Sequence, residues 1–537
     1  MTSLPAAIAA QTGTEVRMRL RAPATLAAVL GFFAAAIFWV PDPSGRATSL
    51  SWTLPDGRVQ SPEYTAEAIG VSISILGCAF GGLVGFYFVA GSVRRDRERG
   101  VGAILAATPL SKTAYMAGKF VSHFAYLLVV VLLAEAAGIV AFIRFGVGSF
   151  SLSGYFVPTL LLVVPGTAFV AAAAIFFDAA PGLSGRGGLV IWFFAFLFLL
   201  VAFPMHLSGG DKEGKPEGLP VFDPAGLATH QWLVRASVPD ARGMASGYVV
   251  RDQPAERVPW KPAPFSASVV FMRLANLLWA LLPLGAAVLL FDRFDPARRK
   301  PARTRPGLAA RVAARFRSGE PPVAPATGET PRAVSLTPVH ARPSAAKAIA
   351  AEARLLWDSA SLLKWPLVLS SIAAAAVPAE AFRGAAAVFF ALVVPLVSES
   401  GAREMLSGTR GLVFSQPGVP RSPALWKAAS VGLFLLAVAA PAVLRAFAGG
   451  PARGAAFVAG LLFVAGASSG LSYLTQGGKL FSGAFLALWY VAVNGAPFAD
   501  FAGAFDPAGP TFASLVYLGV GAACVAGARA RELLSGQ

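Results

Sequence analysis

The chain has 537 residues, of which 56% are hydrophobic and only 14% charged. Soluble domains carry closer to a quarter charged residues, so this excess of apolar side chains must be buried in lipid. The net charge of +17 would suit nucleic acid in a soluble protein. Here the basic residues gather between apolar blocks, where positive charge keeps loops on the cytoplasmic side. No aromatic-basic surface is left over to bind nucleic acid.

The apolar residues fall in blocks of about 20, the length that crosses a hydrocarbon core. In chain order, residues 14–22 (TEVRMRLRA) are basic and partly amphipathic and predict a helix lying on the inner surface. Span one is expected at 23–41, followed by a polar loop with Pro41, Pro43, Pro55 and Pro62. Span two is expected at 65–91, and the charge run Arg94-Arg95-Asp96-Arg97-Glu98-Arg99 then halts the chain in water. Spans three to five are placed at 115–143, 156–177 and 187–206, and span six at 266–291. The segment 207–264 between the last two has about as many acids as bases and fits the outside.

Residues 293–345 are rich in Pro, Arg and Ala without apolar periodicity, and they read as a cytoplasmic linker with no core of its own. The pattern then restarts. Residues 346–362 predict a second amphipathic surface helix, and spans follow at 364–378, 382–398, 426–446, 454–474, 480–497 and 511–530. The expectation is an all-α integral membrane protein of about twelve spans. It would have a first half at 1–292, a second at 346–537, and both termini in the cytoplasm. Halves with an even number of spans share one orientation and form parallel repeats.

The repeat also shows in individual residues. Arg97 and Glu98 precede Pro109 and Lys119, and Arg403 and Glu404 precede Pro417 and Lys427. The spacing from Pro to Lys is the same in both halves, and on this alignment the second loop carries two extra residues. Val101, Ile104 and Leu105 lie at i, i+3 and i+4, and Met405, Thr409, Leu412 and Val413 repeat a helical spacing. Each loop therefore predicts a short helix whose apolar face anchors to the bundle and whose charge pair meets a soluble partner.

The segment from Arg97-Glu98 through Gly100, Thr108-Pro109 and Gly118-Lys119 resembles the cytoplasmic loop of type-2 ABC exporter permeases, with Gly-Val-Gly where Gly-Thr is usual. The second half keeps Glu404, Gly408-Thr409, Pro417 and Lys427 of that pattern. The resemblance implies a permease subunit in a bacterial inner membrane, exporting at the expense of ATP. It implies coupling residues at Arg97, Glu98, Val101, Ile104, Leu105, Pro109, Lys119, Arg403, Glu404, Leu412, Pro417 and Lys427. The partner it implies is a cytoplasmic ABC ATPase dimer, which would bind the ATP and magnesium. No P-loop is present in this chain: Gly118-Lys119 is followed by Phe120, and Gly478-Lys479 by Leu480, where Ser or Thr is required.

Other residues rank lower. Glu135 lies in the middle of span three, and an intramembrane carboxylate either lines a path or bonds a neighbouring helix. Arg144 and Arg273 stand near outer span ends, where they would snorkel. Asp178 and Arg186 flank an inner loop as anchors. Asp211, Glu213 and Glu217 read as a solvated loop, and Cys78, Cys524 and the four scattered histidines form no disulfide or metal pattern. An ion-gradient-driven transporter would want paired intramembrane charges, and Glu135 has no counterpart in the second half. A membrane-embedded enzyme would need converging acid-base residues, and His230 with scattered acids does not supply them.

Overall fold

The computed structural model describes residues 4–21, 30, 32–34, 36–207, 222–241, 243–251, 253–294, 344–359, 363–416, 419–420, 422–506 and 509–534. Nearly half of the expected span one, nearly all of the 293–345 linker, Asp211, Glu213, Glu217 and Pro417 lie outside them, as does the Arg186 side chain.

The architecture is a helical bundle. Helix α1 (Leu4–Leu20) is the expected surface helix, begun earlier than its charged part predicts. α2 (Ala66–Leu83) opens on Thr65, whose hydroxyl accepts from the Ala68 amide, and Glu67 in its first turn suits the positive helix end. α3 (Gly85–Val89), α4 (Ser92–Glu98) and α5 (Val101–Ala107) are short pieces separated at glycines. α6 (Lys112–Phe145) is capped by Ser111 and is about 50 Å long, so it outruns a bilayer core. α7 (Leu152–Ala179) contains a π-turn at Thr159–Val163, just after Pro158. α8 (Arg186–Leu207), α9 (Leu227–Ser237) and α10 (Ala267–Leu290) complete the first half.

Beyond the linker come α11 (Ala345–Ser359), α12 (Lys364–Ala376), α13 (Ala379–Val397), α14 (Arg403–Leu406) and α15 (Arg410–Phe414). Then follow α16 (Pro423–Val438), α17 (Ala440–Ala448), α18 (Pro451–Thr475), α19 (Lys479–Val493) and α20 (Ala513–Leu534).

Helices stand at the expected positions of spans two through twelve, but not all are uninterrupted spans. Among the described residues seven helices are long and apolar enough to cross a membrane, or up to nine if two bent pairs each count once. The bends are 100° between α11 and α12 and 68° between α16 and α17, the latter next to Pro441. With 13 and 15 residues, α12 and α19 are shorter than a straight span needs.

α2 sits at the centre, with 89% of its apolar window buried, whereas α10 and α20 have 22% and 17% buried and lie at the edge. Small residues permit the closest approaches. In α18, Gly466 and Gly470 face Gly521 and Cys524 of α20, where an added Cβ would lie 2.7 and 2.5 Å from backbone atoms. This is the small-residue seam expected of helices packing in lipid.

The polar loop and the 207–264 segment contain structure that the sequence reading passed over. β1 (Ala47–Thr53), β2 (Val59–Pro62), β3 (Gly243–Val250) and β4 (Glu256–Val258) form one sheet in the order β3-β1-β2-β4. The first two make an antiparallel hairpin, and β2 and β4 run parallel. The turn signal was present in Pro55-Asp56-Gly57, where Gly57 takes φ 86° and the Asp56 carboxylate accepts from the Arg58 amide. Trp52 and Trp260 pack 6.0 Å apart, and Arg257 lies over the Tyr64 ring just before α2. The sheet therefore marks one end of the bundle.

Candidate functional site

The opposite end of α2 begins the first of the two charged loops, which the basic run leads one to expect on the inner side. After α3 the chain turns at Gly91, φ 82°, and the Asp178 carboxylate at the end of α7 accepts from the Gly91 and Val93 amides at 2.8 and 3.1 Å. Asp178 thus caps α4, which fits its reading as an anchor. Gly100, φ 75°, turns α4 into α5.

α4 directs Arg95 and Asp96 inward, against α1 and the start of α6. Arg95 Nη2 donates to both Glu15 oxygens at 2.8 Å. Lys119 Nζ, 1% exposed, pairs with Glu15 and lies 2.7 Å from Asp96 Oδ2. The Tyr115 hydroxyl donates to the same Asp96 oxygen at 2.7 Å, and Arg19 lies 3.7 Å from Glu15. Burial alone would raise the Glu15 carboxyl, but Lys119 and Arg95 outweigh it and hold it at about 2, against an ordinary 4.5. A depressed carboxylate stabilises the fold above its unfolded value and stops doing so as pH falls through its folded one. Docking of α1 should therefore be constant above pH 4.5 and weaken progressively between 4.5 and about 2. Hydrogen exchange along α1 at pH 7 and pH 3 would measure this, and Glu15→Gln should flatten the dependence. Equal protection of α1 at both pH values in the wild type would refute it.

The second half builds the same pattern. Arg403 Nη1 is 2.7 Å from Glu352 on α11. Lys427 Nζ is 2.7 Å from Glu404 and 3.4 Å from Glu352, and it donates to the Ser400 carbonyl at 3.1 Å. By position and partner, Glu352 answers to Glu15, Arg403-Glu404 to Arg95-Asp96, and Lys427 to Lys119. This corrects the expected alignment of Arg97-Glu98 with Arg403-Glu404. Lys119 follows Asp96 by 23 positions and Lys427 follows Glu404 by 23, so the second loop has no extra residues. The turn glycines agree, with Gly408 at φ 69°.

The remaining predicted residues divide by where they face. Lys119, Glu404 and Lys427 are buried in the clusters. Arg97 pairs with Asp292 at 3.0 Å, and Glu98 is exposed with Arg94 3.7 Å away. Pro109 is exposed. The apolar residues of the loop helices do not all anchor inward, as expected. Leu105 packs toward Phe291 and Phe294, but Val101 and Ile104 point outward, Ile104 being 69% exposed. Leu412 on α15 is 67% exposed. Sequence reasoning missed Glu15, Glu352, Asp96 and Asp292. The available signals were an acid in each otherwise basic or apolar surface helix and the shared 23-residue spacing.

Both inner loops sit at one end of the bundle. Lys479 Nζ, at the start of α19, donates to the Ala90 carbonyl at 2.9 Å. The adjacent Gly478 lies against the Ser398 carbonyl. A single point of α19 therefore touches the roots of both loops.

Within the bundle, Glu135 is 2% exposed, and one carboxylate oxygen accepts from the Thr159 hydroxyl at 2.5 Å. Its other oxygen has no partner among the described residues. Arg273 does not snorkel, being 1% exposed. Its guanidinium donates to the Leu161 and Leu162 carbonyls at 2.9 and 3.1 Å and to the Asp223 carbonyl at 2.8 Å. Pro165 has no amide proton to give the Leu161 carbonyl four residues before it, and a planar fork of donors suits the pair. Between the halves lies an apolar cavity of about 280 Å³, with Trp39, Leu76 and Phe80 on one side and Ala484, Leu488 and Val491 on the other.

The comparison with known families bears on part of the first half. Residues 42–213 match the ABC-2 family transporter protein family. No curated protein and no solved structure matches the chain. The matched ABC-2 region runs from β1 through α8 and so contains the first inner loop, Asp96 and Lys119, and it leaves out Glu15 and the whole second half. Together with the apolar helices, the match supports an integral membrane protein whose residues 42–213 are similar to ABC-2 transporter proteins.

Proposed function

We propose that this chain is the transmembrane permease subunit of an ATP-driven exporter, served by a separate cytoplasmic ATPase dimer that binds ATP and magnesium. Residues 1–292 and 346–537 form two parallel six-span halves, joined by the 293–345 linker, in a bacterial inner membrane. Both termini and both inner loops face the cytoplasm, and the sheet lies outside. Outward transport follows the resemblance of the loops to type-2 exporters.

One observation carries the reading. Each half places the same Glu-Lys-Arg-acid cluster beside the loop after its second span, and both loops stand at the end of the bundle opposite the sheet. Two loops of the same build offer two seats to a dimer. The basic run at Arg94–Arg99 favours the cytoplasm for that end. The outward side chains Val101, Ile104 and Leu412 make the knobs, and Arg97, Glu98 and Pro109 form the rim of the first seat. Pro417 belongs to the second. The buried pairs of Lys119 and of Lys427, with Arg403 and Glu404, pass motion of the loops to α1, α6, α11 and α16.

The transport route we place in the apolar cavity between the halves. Glu135 is not among its lining residues, and it serves to hold α6 to α7 through Thr159.

The test is the native complex. Purified under mild conditions, the chain should bring down an ATPase whose turnover it stimulates. Ile104→Asp and Leu412→Asp should each cut that stimulation by about 1–2 kcal/mol of coupling, roughly 5- to 30-fold, with assembly and thermal stability unchanged. Full stimulation in the double variant would remove the loops from the coupling path, and absence of any bound ATPase would remove the permease reading itself.

A further inference from the structure

The two inner loops are not equally held. α5 is gripped at three points by the three residues that follow the last span of the first half. Before α5, Arg97 Nη2 lies 3.0 Å from Asp292 Oδ1, and the Arg97 guanidinium lies over the Phe294 ring. In its first turn, Gly102 faces Phe294 so closely that an added Cβ would stand 2.6 Å from the ring. After α5, Arg293 Nη2 donates to the Thr108 carbonyl at 2.7 Å. Lys112 at the start of α6 donates back to the Phe291 carbonyl at 2.6 Å.

The backbone bends to allow this. Arg293 and Phe294 have φ of 54° and 62°, a conformation that residues with a Cβ rarely adopt, still less two in succession. Such a geometry persists where the surrounding contacts over-determine it. Phe294 is locked by edge contacts with Tyr115 and Phe291, 5.6 and 5.0 Å away, and its amide donates to Asp292 Oδ1.

Among the described residues the second loop shows no such clamp; residues 535–537, which follow its final helix, lie outside them. The corresponding final helix, α20, uses Glu532 to accept from the Ala424 amide and Arg531 to reach the Leu474 carbonyl. Those contacts fix α16 and α18, not α15. No residue of α15 is buried, and none joins a buried apolar cluster.

We propose that Asp292, Arg293 and Phe294 are positioning residues that stiffen the first inner loop and tie it to α10, so that the two seats transmit partner motion unequally. The first acts as a rigid lever, and the second follows compliantly. The transmission part rests on the permease reading above, but the unequal stiffness does not.

Spin labels at Ile104→Cys and Leu412→Cys in the full-length chain, in lipid nanodiscs, test the stiffness without any partner. Mobility at 104 should be clearly lower than at 412. Phe294→Ala should free the label at 104 and leave 412 unchanged, and Phe294→Tyr should behave as wild type. Gly102→Ala separates the clamp from simple helix propensity. Alanine by itself favours a helix over glycine and should stiffen α5. Under the clamp it wedges Phe294 out and loosens the loop. Equal mobility at 104 and 412 in the wild type, or a stiffer loop in Gly102→Ala, would overturn the proposal. With the co-purified ATPase, Phe294→Ala should lower stimulation about fivefold at an unchanged unfolding midpoint. Unchanged stimulation in a chain whose loop has loosened would overturn the lever. A chain that shows the mobility pattern but binds no ATPase would support the clamp and refute the permease reading.

Discussion

Lys119→Met is expected to destabilise the protein by about 3–5 kcal/mol, the cost of removing one partner from a buried ion pair. The ammonium is 1% exposed and stands between Glu15 and Asp96, which come from two other helices. Without it Asp96 keeps the Tyr115 hydroxyl and an Arg95 guanidinium 3.6 Å away, neither of which replaces a direct buried cation. Glu15 keeps Arg95, so α1 should loosen rather than detach. Lys427→Met should be similarly severe, because Glu404 and Glu352 share that one ammonium and only Glu352 also has Arg403. Adding Asp96→Asn to Lys119→Met should recover part of the loss, since the carboxylate left alone is then neutral. Glu98→Ala, exposed and lacking a close partner, should stay within about 0.5 kcal/mol. Thermal unfolding in nanodiscs, with the yield of folded protein, reads all four. Wild-type stability in Lys119→Met would mean that the cluster does not hold α1.

Arg273→Met should cost a similar amount, about 3–5 kcal/mol, and Arg273→Lys should recover little of it. The guanidinium joins three segments: the Leu161 and Leu162 carbonyls of α7, the Asp223 carbonyl and carboxylate, and its own helix α10. Lysine offers one point charge and cannot reach the Leu161 and Leu162 carbonyls while also serving Asp223. Asp223 would still accept from the Thr229 amide and hydroxyl, so the turn before α9 should survive locally. Its tie to α7 should not, while Asn276 Oδ1, which accepts from the Asp223 amide at 3.0 Å, still holds it to α10. Protease sensitivity should rise within residues 222–264 and stay unchanged in the inner loops. Uniform loosening of both ends, or none at all, would contradict this assignment.

Much of the architecture was legible because it depends on short-range pattern. Apolar blocks placed α2, α6, α7, α10, α13, α18 and α20 within a few residues, and the amphipathic segments placed α1 and α11. The sheet was missed because two of its strands lie some 190 residues from the other two and none is long. The Pro-Asp-Gly turn was the local clue. Arg273 was misread because distance from a span end says where a side chain could snorkel, not whether a neighbour offers it carbonyls. The Leu161 carbonyl is left open by Pro165, but the residue that takes it stands 112 positions away in the chain.

The inner loops show the same division at residue scale. Their existence, their glycine turns and the importance of Lys119 and Lys427 could be read from spacing, and the ABC-2 match covers the first of them. Which charge pair faces inward could not. Arg97-Glu98 and Arg95-Asp96 are equally plausible in a run of six charged residues, and a two-residue shift on a helix turns a side chain by about 200°. The choice is made by Glu15, 80 positions away in the chain, and by Asp292, which draws Arg97 to the other side. Hydrophobic periodicity is written into neighbouring residues and so belongs to the sequence alone. Ion-pair partnership depends on which distant helices meet, and burial lets only matched charges remain there, so it was decided by the tertiary structure.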